Sequence, residues 1–281
     1  MRWKGRRKSD NVVDRRGTFA RGGSGRKVGG GAAVLVILAG LFFGPEVQNI
    51  LGLFLGGNQP AVQQAPRTNS SQTDEAAEFT KVILAETEDT WNAVFRQMGR
   101  TYQPPKLVLY EGRVQSACGL NSAASGPFYC PGDYQVYIDL SFLSDLRRMG
   151  APGDFAFAYV IAHEVGHHIQ NLVGIAGQVR QQQRQSSKAQ ANRLSVRMEL
   201  QADCLAGVWI NHTESRNAIL EPGDIEEGLR AAAAVGDDTI MQRAGRAPRR
   251  ELFTHGSSEE RMNWFRRGME TGNIEACNTF G

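Results

Sequence analysis

Ala162-His163-Glu164-Val165-Gly166-His167-His168 is the stretch on which the rest of the chain turns. On a helix, His163 and His167 stand four residues apart, so both imidazoles leave from one face and can share a metal ion. Glu164, about 100° further round the helix, is placed to take a proton from a water that such an ion activates. The residues before it support the helix. Asp154 follows Pro152-Gly153 as a candidate N-cap, and Phe155, Tyr159 and Ala162 recur at helical spacing, which predicts a helix from about Asp154 to Leu172. His168 points about 100° away from His167 and is expected beside a ligand or at the surface.

A catalytic zinc takes three protein ligands and leaves one position open. A third His six residues after the second is absent, because position 173 is Val. The candidate comes from a second helix, expected over Ala191–His212 through Leu194, Met198, Ala202, Leu205 and Trp209. Glu199 and Asp203 stand four apart on it and face the same way. Glu199 is the expected third ligand, and Asp203 the expected acceptor for the outer nitrogen of a ligating His, a bond that fixes the tautomer. Carboxylates on helices are usually solvated, but this pair lies among Leu, Met, Ala and Trp, which favours a site. Ala202, Ala206 and Gly207 are small enough to let the two helices approach. His212 is expected to cap the helix end.

Composition bounds the remainder. The 281 residues can bury a full core, but a hydrophobic share of 41% suggests that part of the chain is unpacked. The net charge of +3 hides an asymmetry. Residues 1–27 hold ten Lys/Arg against Asp10 and Asp14, whereas the rest is acidic overall. This pattern excludes a basic nucleic-acid binder, and no Walker loop or dinucleotide fingerprint is present.

Four segments are expected. Residues 1–27, basic and Gly/Ser-rich, read as a disordered cytoplasmic tail. Val28 to Pro45 carries no charge and, extended by the uncharged but less apolar stretch from Val47, reads as an uncleaved transmembrane anchor, residues 28–55, with a cleaved signal peptide as the competitor. The positive-inside rule keeps the tail in the cytoplasm and exports the rest. Residues 56–72, Pro/Gln-rich, read as a linker, and residues 73–281 as the folded domain. That domain is α+β, mainly helical with a small β-sheet. Helices are expected at 74–99, 141–149 and from Asp224, where Asp224 and Glu227 are spaced like a capping box, and after His255. Residues 178–190 are expected as a polar loop or helix extension. Lys106–Tyr110 and Tyr134–Leu140 read as strands, the second a candidate open edge for an extended peptide. Four cysteines in an exported domain favour two disulfides; Cys118 with Cys130 and Cys204 with Cys277 is one arrangement, and other pairings stay open.

His-Glu-x-x-His followed by Glu199-x-x-x-Asp203 resembles the gluzincin metallopeptidases, and Glu199-Leu-Gln-Ala-Asp203 is close to the form used by membrane endopeptidases that trim prenylated proteins. More of the chain is similar to the bacterial neutral zinc metallopeptidase family. The basic Met1-Arg-Trp-Lys-Gly-Arg-Arg7 start, Gly126-Pro-Phe-Tyr-Cys130-Pro131, Tyr137-Ile-Asp-Leu140, Cys204-Leu-Ala-Gly-Val-Trp209 and Thr254-His255-Gly-Ser-Ser-Glu-Glu-Arg261 carry that likeness. The resemblance implies a gluzincin-like (minigluzincin) domain, a Zn²⁺ cofactor and peptide-bond hydrolysis. It also implies that His255 stabilises the oxyanion of the reaction, with a structural role as the alternative. Arg261 is expected to organise its helix or to pair with a site carboxylate.

The resulting expectation is a zinc endopeptidase anchored once in the bacterial inner membrane, its domain periplasmic and its substrate a protein or peptide. The metal ligands are His163, His167 and Glu199, and the catalytic residues Glu164 and His255. The alternative is a zinc-stabilised membrane adaptor that cleaves nothing, and a weaker one is a cytoplasmic domain with free thiols.

Overall fold

The computed structural model describes residues 1–17 and 70–281. The expected anchor at 28–55 and most of the expected linker lie outside the described residues. Among the described residues no helix is long and apolar enough to cross a membrane.

The fold is α+β and mainly helical. Among the described residues β1 (Val12–Asp14) comes first and helix α1 (Ser70–Gln97) second, and β1 joins β2 (Lys106–Tyr110), β5 (Phe128–Cys130) and β6 (Gln135–Asp139) in a four-stranded sheet of order β1-β2-β6-β5. β1 and β6 flank β2 in parallel, with Val13 opposite Val108 and Val108 opposite Tyr137, and β5 runs antiparallel to β6. A separate hairpin joins β3 (Arg113–Ser116) and β4 (Gly119–Ser122). The expected open edge at Tyr134–Leu140 is therefore corrected. β6 is interior, with both sides paired, and β5 is the edge strand on that side.

The helices follow as α2 (Phe142–Arg148), α3 (Asp154–Leu172), α4 (Ile175–Arg184), α5 (Lys188–Asn217), α6 (Asp224–Ala234), α7 (Asp237–Arg243) and α8 (Ser258–Thr271). Helix α3 is buried on every side from Phe155 to Gln170, as a helix apolar all round must be. It is enclosed by α1, α5, α6 and the sheet. The polar run 178–190 is not a loop throughout. It forms α4, breaks, and restarts at Ser187, whose side chain and Gln190 form a capping box for α5.

Two close approaches set the helix positions. A Cβ on Gly166 would meet the backbone oxygen of Ala202 at 3.0 Å, so α3 and α5 cross at a glycine between the two motif histidines. Gly207 serves a different contact from the expected one. It faces α8, where a Cβ would lie 2.2 Å from the Phe265 oxygen, and Gly268 on α8 faces Cys204 with a corresponding 1.9 Å. Helices α5 and α8 thus pack backbone to backbone, with the Cys204–Cys277 disulfide beside the crossing. The second disulfide, Cys118–Cys130, ties the turn of the hairpin to the last residue of β5.

Several local expectations change. Residues 1–17 are not a free tail: Met1 is in the core, and β1 completes the sheet. Asp154 is the first helical residue rather than the N-cap, and its carboxylate accepts from the Met1 ammonium at 3.1 Å. Asp224 and Glu227 form no capping box. Glu227 instead accepts from the Phe155 N–H at the start of α3, tying α6 to the metal-motif helix. His212 does not cap its own helix. Its Nε2 bonds the oxygen of Gly272, the left-handed residue that ends α8.

Candidate metal centre

The crossing of α3 and α5 brings three side chains from two helices to one point. His163 Nε2 lies 3.2 Å from Glu199 Oε2, and His167 Nε2 lies 3.4 Å from Glu199 Oε1. The two imidazole rings are 4.8 Å apart and nearly perpendicular. All three residues are buried. A tetrahedral ion with arms of about 2.1 Å needs ligand atoms separated by about 3.4 Å, so the spacing fits zinc. His163, His167 and Glu199 form one of two clusters with metal-binding spacing among the described residues. The other, Asp154, Asp224 and Glu227, already receives the Met1 ammonium on Asp154 and Asp224.

The outer nitrogens reinforce that fit. His163 Nδ1 lies 2.7 Å from Asp203 Oδ1, and His167 Nδ1 lies 2.9 Å from Gln170 Oε1. Both acceptors take the Nδ1 proton, so Nε2 is the nitrogen of each imidazole that faces Glu199 and is available to an ion once it has given up any proton it carries. Gln170 is itself fixed, donating to the Met198 carbonyl at 2.7 Å. Sequence reasoning missed it. The available signal was its position three residues after His167, on the same helix face.

Asp203 is fully buried and collects four donors on two oxygens. Arg261 gives Nε to Oδ2 at 2.8 Å and Nη2 to Oδ1 at 2.9 Å, Tyr159 gives its hydroxyl at 2.5 Å, and His163 gives Nδ1. Arg261, 2% exposed, also stands 3.8 Å from Glu199. Helix α8 therefore contributes a cation that holds two carboxylates of α5. Burial opposes charge on Asp203, but Arg261 and His163 keep its carboxyl below the usual carboxylate range. Tyr159 was read only as a core residue, since its role depends on an arginine far along the chain.

The electrostatics suit a cation. Burial alone would raise Glu199, but the neighbouring His167 and hydrogen bonds from both histidines hold it well below its ordinary value. Burial works against protonation of His163, yet Asp203 pushes it up to about 9. A metal at Nε2 must displace that proton, so uptake at neutral pH releases it.

Glu164 is buried, and among the described residues no hydrogen bond holds its carboxylate. Burial raises its carboxyl, while the charges of His167 and His163 partly offset the rise. His255 is also buried at this site and feels the charge of Glu199. It is oriented by Asp237 at the start of α7. Oδ1 lies 3.1 Å from Nδ1, and Oδ2 accepts the backbone N–H groups of Thr254, His255 and Gly256 at 2.6–3.0 Å. Burial disfavours the imidazolium, but that bond raises His255 above its ordinary value. Asp237 was not legible in the sequence as a partner of His255.

The chain matches, over residues 1–280, the family described as "Putative neutral zinc metallopeptidase". The chain belongs to that family. The uncharacterized protein YpfJ of Escherichia coli K12 is 50% identical, covering 100% of this chain and 99% of its own. The uncharacterized protein Rv2575 of Mycobacterium tuberculosis H37Rv is 39% identical over 73% of this chain and 72% of its own. No solved structure matches the chain.

In this family member His168 is neither a ligand nor at the surface. It is 1% exposed, between the Tyr129 hydroxyl at 3.1 Å and the Gln103 carbonyl at 2.7 Å. Its neighbour Asn171 donates to the same tyrosine. His168 thus links α3 to edge strand β5, one residue beyond the motif.

Proposed function

We propose that this protein is a membrane-associated zinc endopeptidase, with His163, His167 and Glu199 as the ligands and Glu164 as the general base. The observation that carries the reading is the convergence of both Nε2 atoms on the Glu199 carboxylate, each imidazole backed by a buried acceptor. Zinc bound there supplies Lewis acidity, polarising a scissile carbonyl and lowering the pKa of a water. Glu164 takes the proton of the attacking water at its carboxylate and passes it to the leaving amine. His255, with Nδ1 engaged by Asp237, donates from the ring to the oxygen that gains charge. Edge strand β5, next to α3, is the strand able to pair with an extended substrate.

The domain works on the oxidising side of a bacterial inner membrane, attached through residues 28–55. Two disulfides support that compartment, because such bonds persist where thiols are not kept reduced. The experiment is Glu164→Gln beside wild type, with zinc content and turnover of an unbiased peptide library measured on each. Zinc and fold are retained in both, and cleavage is lost in the variant. A zinc-loaded wild-type protein that turns over no peptide would establish the adaptor reading instead.

A further inference from the structure

The N-terminal segment is held by the domain along its whole described length. The Met1 ammonium lies 3.1 Å from Asp154, 3.0 Å from Glu221 and 3.4 Å from Asp224, and its side chain joins the main core. Arg2 N–H donates to the Ile219 carbonyl at 2.8 Å. The Trp3 ring packs edge-on to Phe79 at 5.3 Å. Arg6 reaches Glu86 at 3.3 Å and the Asn217 carbonyl at 2.8 Å, and Lys8 pairs with Glu78. Val12–Asp14 then hydrogen-bonds to Leu107–Leu109 as a parallel strand.

We infer that residues 1–17 and the metal-binding domain lie on the same side of any membrane, so that residues 18–69 begin and end in one compartment. The hydrocarbon layer of a bilayer is about 30 Å thick. Hydrogen bonds near 3 Å and a shared sheet cannot form across it. A single crossing between residues 17 and 70 would break every one of these contacts, and the domain is built around them. Among the described residues the carboxylate of Glu88, a residue 6% exposed, takes its hydrogen bonds from the segment, at Arg7, Ser9 and Asn11. Without β1, the edge of β2 would also be left unpaired. The charge asymmetry acquires a second meaning here. The basic residues of the segment face Glu75, Glu78, Glu86, Glu88 and Asp89 on α1, an acidic surface matched to them. A tail in the cytoplasm and a domain outside, the arrangement that charge bias alone suggests, does not permit this match.

The test uses the full chain in its membrane. Lys8→Cys places a thiol on the segment and Glu270→Cys places one on α8, both at exposed positions. Cells with a permeabilised outer membrane are treated with a membrane-impermeant maleimide, and labelling at each cysteine is read by peptide mass. The two positions are expected to behave alike. Both labelled, or both protected, supports the inference; the protected result would at the same time overturn the extracytoplasmic location proposed above. One labelled and the other protected overturns it. A second arm does not depend on either variant. Lys4→Cys with Glu75→Cys replaces a 3.0 Å ion pair, and a short bismaleimide should join the two within one chain in isolated membranes. Failure to cross-link while each cysteine reacts singly also overturns the inference. Zinc content and peptide turnover are not the readouts, so loss of the peptidase reading would leave this result intact.

Discussion

Asp203→Asn is the change that most directly probes the centre. The substitution is isosteric, so no cavity forms, but it removes the charge opposite a guanidinium that is 2% exposed. Tyr159, His163 and Arg261 all donate to the carboxylate. Whichever way the amide is turned, its NH₂ group faces a donor. Removing one partner of a buried pair costs about 3–5 kcal/mol. Some relief comes from Glu199, 3.8 Å from Arg261, so about 3 kcal/mol is expected in urea unfolding of the metal-free protein. Loss of the acceptor on His163 Nδ1 should further weaken zinc about 10–100-fold, read by competition with a chromophoric chelator. Asp203→Leu with Arg261→Met separates the two effects. Burying apolar groups in place of the pair should restore stability but not zinc affinity, because His163 still lacks its acceptor. A stability loss under about 1 kcal/mol together with unchanged zinc affinity for Asp203→Asn would refute the role given to Asp203.

Acid should act through His168, which burial pushes down to about 4 while the Gln103 carbonyl partly opposes the shift. Its folded pKa lies below the unfolded value near 6.5, so its contribution is fully present above pH 6.5 and is lost as pH falls toward 4. The loss is about 3 kcal/mol, and urea midpoints of His168→Gln should fall less over that window than those of wild type; parallel curves would contradict this. Gly268→Ala would put a methyl 1.9 Å from the Cys204 oxygen, forcing α5 and α8 apart at a cost of more than about 2 kcal/mol, with a lower melting temperature and weaker zinc binding because Arg261 moves with α8. Replacing Cys204 and Cys277 together by Ala opens a loop of sequence separation 73, worth about 4 kcal/mol by loop-closure entropy; an unchanged denaturation midpoint would show that the bond does not stabilise the fold.

The cluster of His163, His167 and Glu199 was legible because helical periodicity does the assembling locally. His163 and His167 share a face of α3, and Glu199 and Asp203 a face of α5, through spacing alone. The apolar run around Glu199 marked its helix as buried. The residues that complete the arrangement were far less visible. Tyr159 is an ordinary aromatic at core spacing, and Asp237 is one of two adjacent aspartates. Arg261 was left between organising its own helix and pairing with a site carboxylate; it binds Asp203, 58 positions away in sequence. Hydrogen bonds over such separations depend on which helices cross, and no local pattern encodes that.

The N-terminal segment failed for the complementary reason. Its residues lack apolar periodicity, because a segment held by ion pairs, carbonyls and one strand of three residues needs none. Charge and composition make it a tail in isolation; only the acidic surface of α1 and the exposed edge of β2 make it part of the fold.

By itself the sequence determined the helix carrying the histidine pair, which carboxylate stands beside that pair, and the mainly helical α+β class, since each rests on short-range spacing and on burial of apolar faces. The tertiary structure alone decided how close α3 and α5 come at Gly166, that Arg261 is locked to Asp203, that β6 is interior, and that residues 1–17 are docked on the domain. Those features depend on long-range packing, where shape and charge must match across elements that the chain order keeps apart.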